Sequence, residues 1–228
     1  MSTSTMTRVT MAFGLIALGT SAVSAAEPDK DGFISLFNGK DLTGWKVGDA
    51  DQSEFRVEDG KIVARGKRSH VFTEQEFKNF DFKAEVMTTP GSNSGIYFHS
   101  KYQEKGFPDH GHEVQVNVSQ GDPVKTGSIY NIVKLYETPA KDNEWWEQEI
   151  IVKGQNVVVK INGKVVLDYT EPIGPQNAVV KVNDKVVFDD TIGPKVGRKI
   201  SRGCFALQAH DPKSVTYYRN IRVKPLPE

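Results

Sequence analysis

The 228-residue chain has a single cysteine, Cys204, so no intramolecular disulfide can form even in an oxidising compartment. It has no excess of charge: 29 Lys and Arg stand against 29 Asp and Glu, a net +0 with a pI near 7.0. Without a basic field, neither nucleic acid nor an anionic membrane surface is an expected partner. Helical periodicity is also missing, since no stretch of ten or more residues repeats apolar positions at three and four. A hydrophobic content of 38% with 10% aromatics excludes a disordered chain and points to a packed domain.

The longest apolar run, Val9 to Gly19, follows Arg8 and leads into the small residues Ser21 to Ala26. That layout is expected for a secretory signal peptide, with the mature chain starting near Glu27 and delivered to the periplasm or the extracellular space. The run is far shorter than the roughly 20 residues a spanning helix needs, so no transmembrane segment is expected after cleavage. Losing residues 1–26 removes only Arg8 and leaves 28 basic against 29 acidic residues. The mature chain of about 200 residues can bury enough core to be stable without crosslinks.

What is present is strand. Twelve short alternating or β-branched runs are separated by Gly, Asn, Asp and Pro: Phe33–Phe37, Phe55–Glu58, Lys61–Ala64, Phe80–Met87, Gly95–Ser100, Glu113–Val118, Ile129–Val133, Trp145–Val152, Val157–Ile161, Lys164–Tyr169, Cys204–His210 and Tyr217–Val223. This spacing predicts an all-β, two-sheet antiparallel sandwich or barrel over residues 27–228, with Thr73 to Lys78 the one short helical turn. Residues 155–170 recur as 176–191, matching at 11 of 16 positions. Each copy reads as a hairpin turning at Asn162-Gly163 or Asn183-Asp184, added at a sheet edge or projecting from it.

Alternation splits each strand into two faces. Ile96 and Phe98 share one face of their run and Tyr97 and His99 the other. Val114, Val116 and Val118 oppose Glu113, Gln115 and Asn117, while Phe205, Leu207 and Ala209 oppose Ala206, Gln208 and His210. The wet side of a sheet is usually rich in Lys and Glu; these polar faces carry His, Glu, Gln, Asn and Tyr, which bind sugar hydroxyls and transfer protons. His70 reads as structural or exposed, and Cys204 as a packed core thiol. His110 and His112 sit in a loop that could hold a metal or simply turn, and no zinc spacing is present. Trp45 and one of Trp145 and Trp146 could form a stacking platform for a sugar ring, although alternation sends one of that pair inward.

These residues resemble the 3-keto-disaccharide hydrolase domain family, formerly a domain of unknown function, related in fold to the concanavalin A-like lectins and glucanases. The matching segments are Phe33 to Trp45, Ser94 to Phe98, His112 to Asn117, Thr126 to Tyr130, Asn143 to Trp145, Ile161 to Gly163, Gly203 to His210 and Arg219 to Val223, in the family's order. The resemblance implies a jelly-roll-like sandwich. This chain has His99 where the family often has Arg and Asn117 where it often has Asp, and its repeated hairpin looks like an insertion.

Glucanases of this fold use Glu-x-Asp-x-Glu on one strand, whereas Glu113-x-Gln115-x-Asn117 offers one carboxylate. A 3-keto sugar needs no second one, because the ketone acidifies the C2 proton. The resemblance thus implies cleavage of 3-keto-glycosides by proton abstraction, elimination and hydration (3-keto-glucoside 1,2-lyase and 3-keto-2-hydroxy-glucal hydratase chemistry). Glu113 is the expected base, and His99 or His210 the acid or enolate stabiliser. Tyr97, Gln115, Asn117, Gln208, Trp45 and Trp146 are the expected substrate-binding groups. A divalent cation could polarise the ketone in place of one histidine, and an upstream sugar 3-oxidase would supply the substrate. The competing expectation is a non-catalytic carbohydrate-binding module of the cell envelope; a third is an envelope structural domain.

Overall fold

A computed structural model describes residues 27–48, 53–171, 179–182, 185–187 and 200–228. The expected leader at 1–26 and the expected second turn, Asn183-Asp184, lie outside the described residues. The strands in chain order are β1 (Ile34–Ser35), β2 (Trp45–Val47), β3 (Ser53–Glu58), β4 (Lys61–Gly66), β5 (Ser69–Phe77), β6 (Phe80–Thr88), β7 (Asn93–Ser100), β8 (His112–Asn117), β9 (Trp146–Lys153), β10 (Asn156–Ile161), β11 (Lys164–Thr170), β12 (Val179–Val182), β13 (Lys185–Val187), β14 (Gly203–Ala209) and β15 (Val215–Pro225). No helix occurs among the described residues, so none there is long and apolar enough to cross a membrane.

The strands form two antiparallel sheets. The larger has ten strands in the order β13-β12-β11-β10-β9-β6-β15-β4-β3, with β1 on β15; the smaller runs β2-β5-β14-β7-β8. Alternation explains the layering. In β6, Phe80, Phe82, Ala84 and Val86 point inward and are fully buried, while Asp81, Lys83 and Glu85 between them are only half-buried. Phe205 of the small sheet meets Phe82 and Phe80 of the large one at ring distances of 4.5 and 4.8 Å. One continuous core results, joined by Ile96, Phe98, Val114, Val116 and Leu207. The opposite face of the small sheet is buried too. Phe72, Tyr97, Cys204 and Ala206 form a second cluster there, and burial pushes the Cys204 thiol up to about 12, in line with a packed thiol.

Two expectations change. Residues Thr73 to Lys78 are not helical: Thr73 to Phe77 complete β5, held on both sides by Trp45↔Thr73 and Gly203↔Phe77. The run Glu74-Gln75-Glu76 lacks the sequence marks of a strand, and pairing overrides local preference. Residues Ile129 to Val133 make only the single bridges Val114↔Ile129 and Ile129↔Val133, inside a loop folded over β8. The repeated hairpin lies at the edge of the large sheet, where β12 pairs with β11 through Leu167↔Val182 and β13 follows. The first copy turns at Asn162 and Gly163, with φ of 50° and 75°, as its sequence requires.

Candidate active site

The site lies on the outer face of the small sheet, where pairing sets side chains in rows. Phe72 of β5, Ala206 of β14, Tyr97 of β7 and Glu113 of β8 are register partners. In the next row His70 is opposite Gln208 and Gly95 opposite Gln115. Gly95 carries no side chain, and Glu113 fills the vacancy. A Cβ at Gly95 would meet the Glu113 carboxylate oxygen and stand 2.9 Å from its Cγ and Cδ. The carboxylate therefore leans across the missing side chain into a pocket of about 190 Å³. At about 30 Å³ per water, that volume is roughly six waters, the room of one sugar ring.

Tyr97, Gln115 and Gln208 form the floor with Glu113, and His210 stands at the end of β14. Gln208 donates through Nε2 to the Tyr97 hydroxyl at 2.8 Å and lies 3.4 Å from Nε2 of His70, which is buried beneath the pocket with its ring edge-on to Tyr97. Burial, reinforced by the charges of Arg68 and His210, pushes His70 down to about 3, so it is a neutral acceptor at physiological pH. The side-chain amide oxygens of Gln208 (Oε1) and of Asn93 (Oδ1), another lining residue, are buried with no protein partner. Leaving such an acceptor unmade costs about 1–3 kcal/mol, a cost that hydroxyl donors of a sugar would remove. His210 Nδ1 lies 3.1 Å from Asp211 Oδ2, and that oxygen accepts from Ser214 Oγ at 2.7 Å. Although burial opposes it, these hydrogen bonds hold Asp211 below the usual carboxylate range, so its charge fixes the imidazole.

The second wall is the loop after β8. Asp122, Tyr130 and Asn131 reach the pocket from it, with the Tyr130 hydroxyl 3.4 Å from Asp122. Burial, together with the nearby charges of Asp122 and Glu113, raises Tyr130 above its ordinary range. The third wall is Phe107, from the loop between β7 and β8. Among the described residues, no three His, Cys, Asp or Glu side chains converge as a metal cluster.

A family model for the 3-keto-alpha-glucoside-1,2-lyase-like domain matches residues 32–224, nearly the whole sandwich. The chain belongs to this family. A curated protein of Bacteroides thetaiotaomicron named 3-keto-disaccharide hydrolase is 24% identical over 172 residues, covering 62% of this chain and 59% of that protein. The match thus spans less than two thirds of the relative's length. A crystal structure of a candidate glycosyl hydrolase from Parabacteroides distasonis superposes with TM-score 0.67 and 25% identity, covering 86% of this chain and 95% of that one. A carbohydrate-binding module from Bacillus subtilis shares the fold alone, with TM-score 0.53 and 12% identity over 79% of this chain and 95% of that one. This member of the 3-keto-α-glucoside-1,2-lyase-like family is accordingly a two-sheet β-sandwich that shares its fold with glycosyl hydrolase-like and carbohydrate-binding proteins.

Of the residues expected from the sequence, Glu113, His210, Tyr97, Gln115 and Gln208 come together. His99, Asn117, Trp45 and Trp146 do not line the pocket. His99 has φ of 54°, and Gly111 and Gly203 leave room for its turned backbone. The turn removes it from the Tyr97 face: its ring packs on Phe80 and Phe98, Nε2 faces the Lys78 carbonyl at 2.8 Å and Nδ1 accepts from Ser201 N at 3.1 Å. Burial holds it down to about 4. Asn117 spends its side chain on the neighbouring loop, donating to the carbonyls of Asp122 and Val124 and accepting from Gln120 N. It positions Asp122 and is itself fully buried. Trp45 sits in the core with Nε1 donating to the Leu36 carbonyl at 2.6 Å, and Trp146 is buried on β9; Trp145 points outward beneath Arg219.

Asn93, Phe107, Asp122, Tyr130 and Asn131 were not expected. Tyr130 ends the Thr126–Tyr130 segment that carried the resemblance, and Asn131 has φ of 62°, a conformation Asn tolerates. Both were readable as loop signals, whereas nothing local marks Asn93 or Asp122.

Proposed function

We propose that this chain cleaves 3-keto-glycosides by elimination followed by hydration, with Glu113 as the base. The observation that carries this reading is the Glu113 carboxylate, brought over Gly95 into a pocket the size of one sugar ring and flanked by His210. Glu113 takes the C2 proton of the 3-keto sugar, and the electron pair forms the C1–C2 double bond as the C1–O bond breaks. The protonated His210 imidazole, oriented by Asp211, supplies the proton to the leaving oxygen. The Tyr97 hydroxyl, held in the pocket by a hydrogen bond from Gln208, is the group placed to donate to the developing enolate oxygen. Water then adds at C1 and a proton returns to C2, giving net hydrolysis. A single carboxylate suffices because the ketone acidifies the C2 proton and His210 takes the place of a second carboxyl group as the acid.

The apolar run Val9 to Gly19 after Arg8, leading into small residues up to Ala26, supports export, and the substrate's ketone requires a reaction that oxidises the C3 hydroxyl upstream. The test is release of free sugar from a 3-keto-disaccharide beside its unoxidised parent. Release from the keto sugar alone, lost in Glu113→Gln with the melting temperature retained, is the expected result. Full activity in Glu113→Gln, or binding of sugar with release from neither compound, overturns the catalytic reading and leaves a carbohydrate-binding module.

A further inference from the structure

The pocket holds one ring, so the leaving group of a disaccharide must emerge past its rim. At that rim stands Phe107, which at 44% exposure is one of few large exposed hydrophobic side chains among the described residues. Its exposure is built in. The Gln103 side chain bridges the carbonyls of Lys105 and Phe107 and accepts from Asp109 N at 3.2 Å, closing the loop around Gly106, whose φ is +84°. The root of that loop is docked as well, Tyr102 packing edge-on to Phe72 at 5.5 Å with the Lys46 ammonium 3.6 Å from its ring centre. Holding an apolar ring nearly half in water by this many polar contacts costs ordering entropy for only partial burial.

The ring's neighbours give its direction. Phe107 lies 6.4 Å from His210 and 6.0 Å from His70 between ring centres, and the Arg68 guanidinium covers it at 5.1 Å. His210 is the group that protonates the leaving oxygen, so the oxygen departs on the Phe107 side. Glu113, Asp122 and Tyr130 line the same pocket, and with Glu113 as the base the keto ring lies against them.

We infer that Phe107 is the stacking platform of a leaving-group subsite, which selects glycosides whose leaving group is itself a pyranose ring with an apolar face. The inference rests on the proposed elimination for its chemistry. Its binding half stands apart from it.

The experiment compares wild type, Phe107→Ala and Phe107→Tyr on a 3-keto-disaccharide and on the 3-keto-glucosyl fluoride, whose leaving group has no ring. Alongside, affinities of the three proteins for the unoxidised disaccharide and for the monosaccharide are measured by calorimetry. The loss of kcat/KM in Phe107→Ala should be about tenfold greater on the disaccharide than on the fluoride, carried by KM and largely restored in Phe107→Tyr. Affinity for the disaccharide should fall similarly and that for the monosaccharide much less. Equal losses on both substrates, or disaccharide affinity unchanged in Phe107→Ala, overturn the subsite. If wild type turns over neither keto compound, elimination fails and the calorimetric arm still decides the subsite.

Discussion

Gly95 is the position where one added methyl group should separate fold from function. Its backbone is not in the left-handed region, so alanine is conformationally acceptable there, and a strand glycine replaced by alanine gains about 0.5–1 kcal/mol in backbone entropy. Against this, the new Cβ would stand 2.9 Å from Cγ and Cδ of Glu113, nearly 1 Å inside ordinary carbon contact. Overpacking of this kind costs about 1–3 kcal/mol, so Gly95→Ala should melt within a few degrees of wild type. The carboxylate, however, must swing away by about 1 Å, and displacement on that scale costs on the order of 100-fold in kcat. Release of sugar from the keto-disaccharide gives the rate, and calorimetry gives the fold. In a Glu113→Gln background Gly95→Ala should cost nothing further, since both act through one carboxylate. Activity of Gly95→Ala within threefold of wild type would refute the reasoning.

Two further outcomes follow from features away from the pocket floor. His99, held down to about 4 from 6.5 by burial, is a base with a lowered folded-state pKa. Its contribution is complete above pH 6.5 and lost as pH falls toward 4, about 3 kcal/mol in all, and His70 adds a loss in the same direction. The urea midpoint should therefore drop across this window, and His99→Asn, though less stable at pH 7, should show a flatter profile; equal slopes would count against it. Glu171 Oε2 accepts from Ile200 N at 2.6 Å, so the ends of residues 172–199 are adjacent. Replacing that segment with a short glycine linker should preserve the β-sheet circular dichroism and sugar release, because β12 and β13 extend the large sheet at its edge while the pocket residues Glu113, Tyr97, Gln115 and Gln208 stand on the small sheet; a molten product would show the segment to be part of the core.

Much of the architecture was legible because alternation is a local signal. Phe80 to Val86, Val114 to Val116 and Phe205 to Ala209 declare their buried faces residue by residue, and the sheet follows. The same signal located Glu113, Gln115, Tyr97 and Gln208 on one face. It failed where the backbone leaves the pleat: His99 rotates off its expected face at a positive φ, beside the β14 register shift between Cys204 and Ala206. It also says nothing about residues brought in from a distance. Asp122 reaches the pocket because Asn117 ties down its loop, and Phe107 because Gln103 does. The tryptophans misled for a different reason, since a large amphipathic ring suits a core as well as a sugar, and only the observed packing distinguishes the two.

The hairpin pair at the sheet edge gives the folding chain two near-identical candidates for one berth. Beside the turn they share a register: Ile161↔Lys164 and Lys160↔Val165 recur as Val182↔Lys185 and Lys181↔Val186. Early in folding, either could zip onto β9, and a chain that seats the later twin would have to unzip it. The sequence itself breaks the tie. Tyr169, buried to 1% exposure in the first copy, corresponds to Asp190 in the second, a carboxylate that cannot take the aromatic's place in the core. That single divergence penalises the swapped arrangement and keeps a tandem repeat from becoming a kinetic trap.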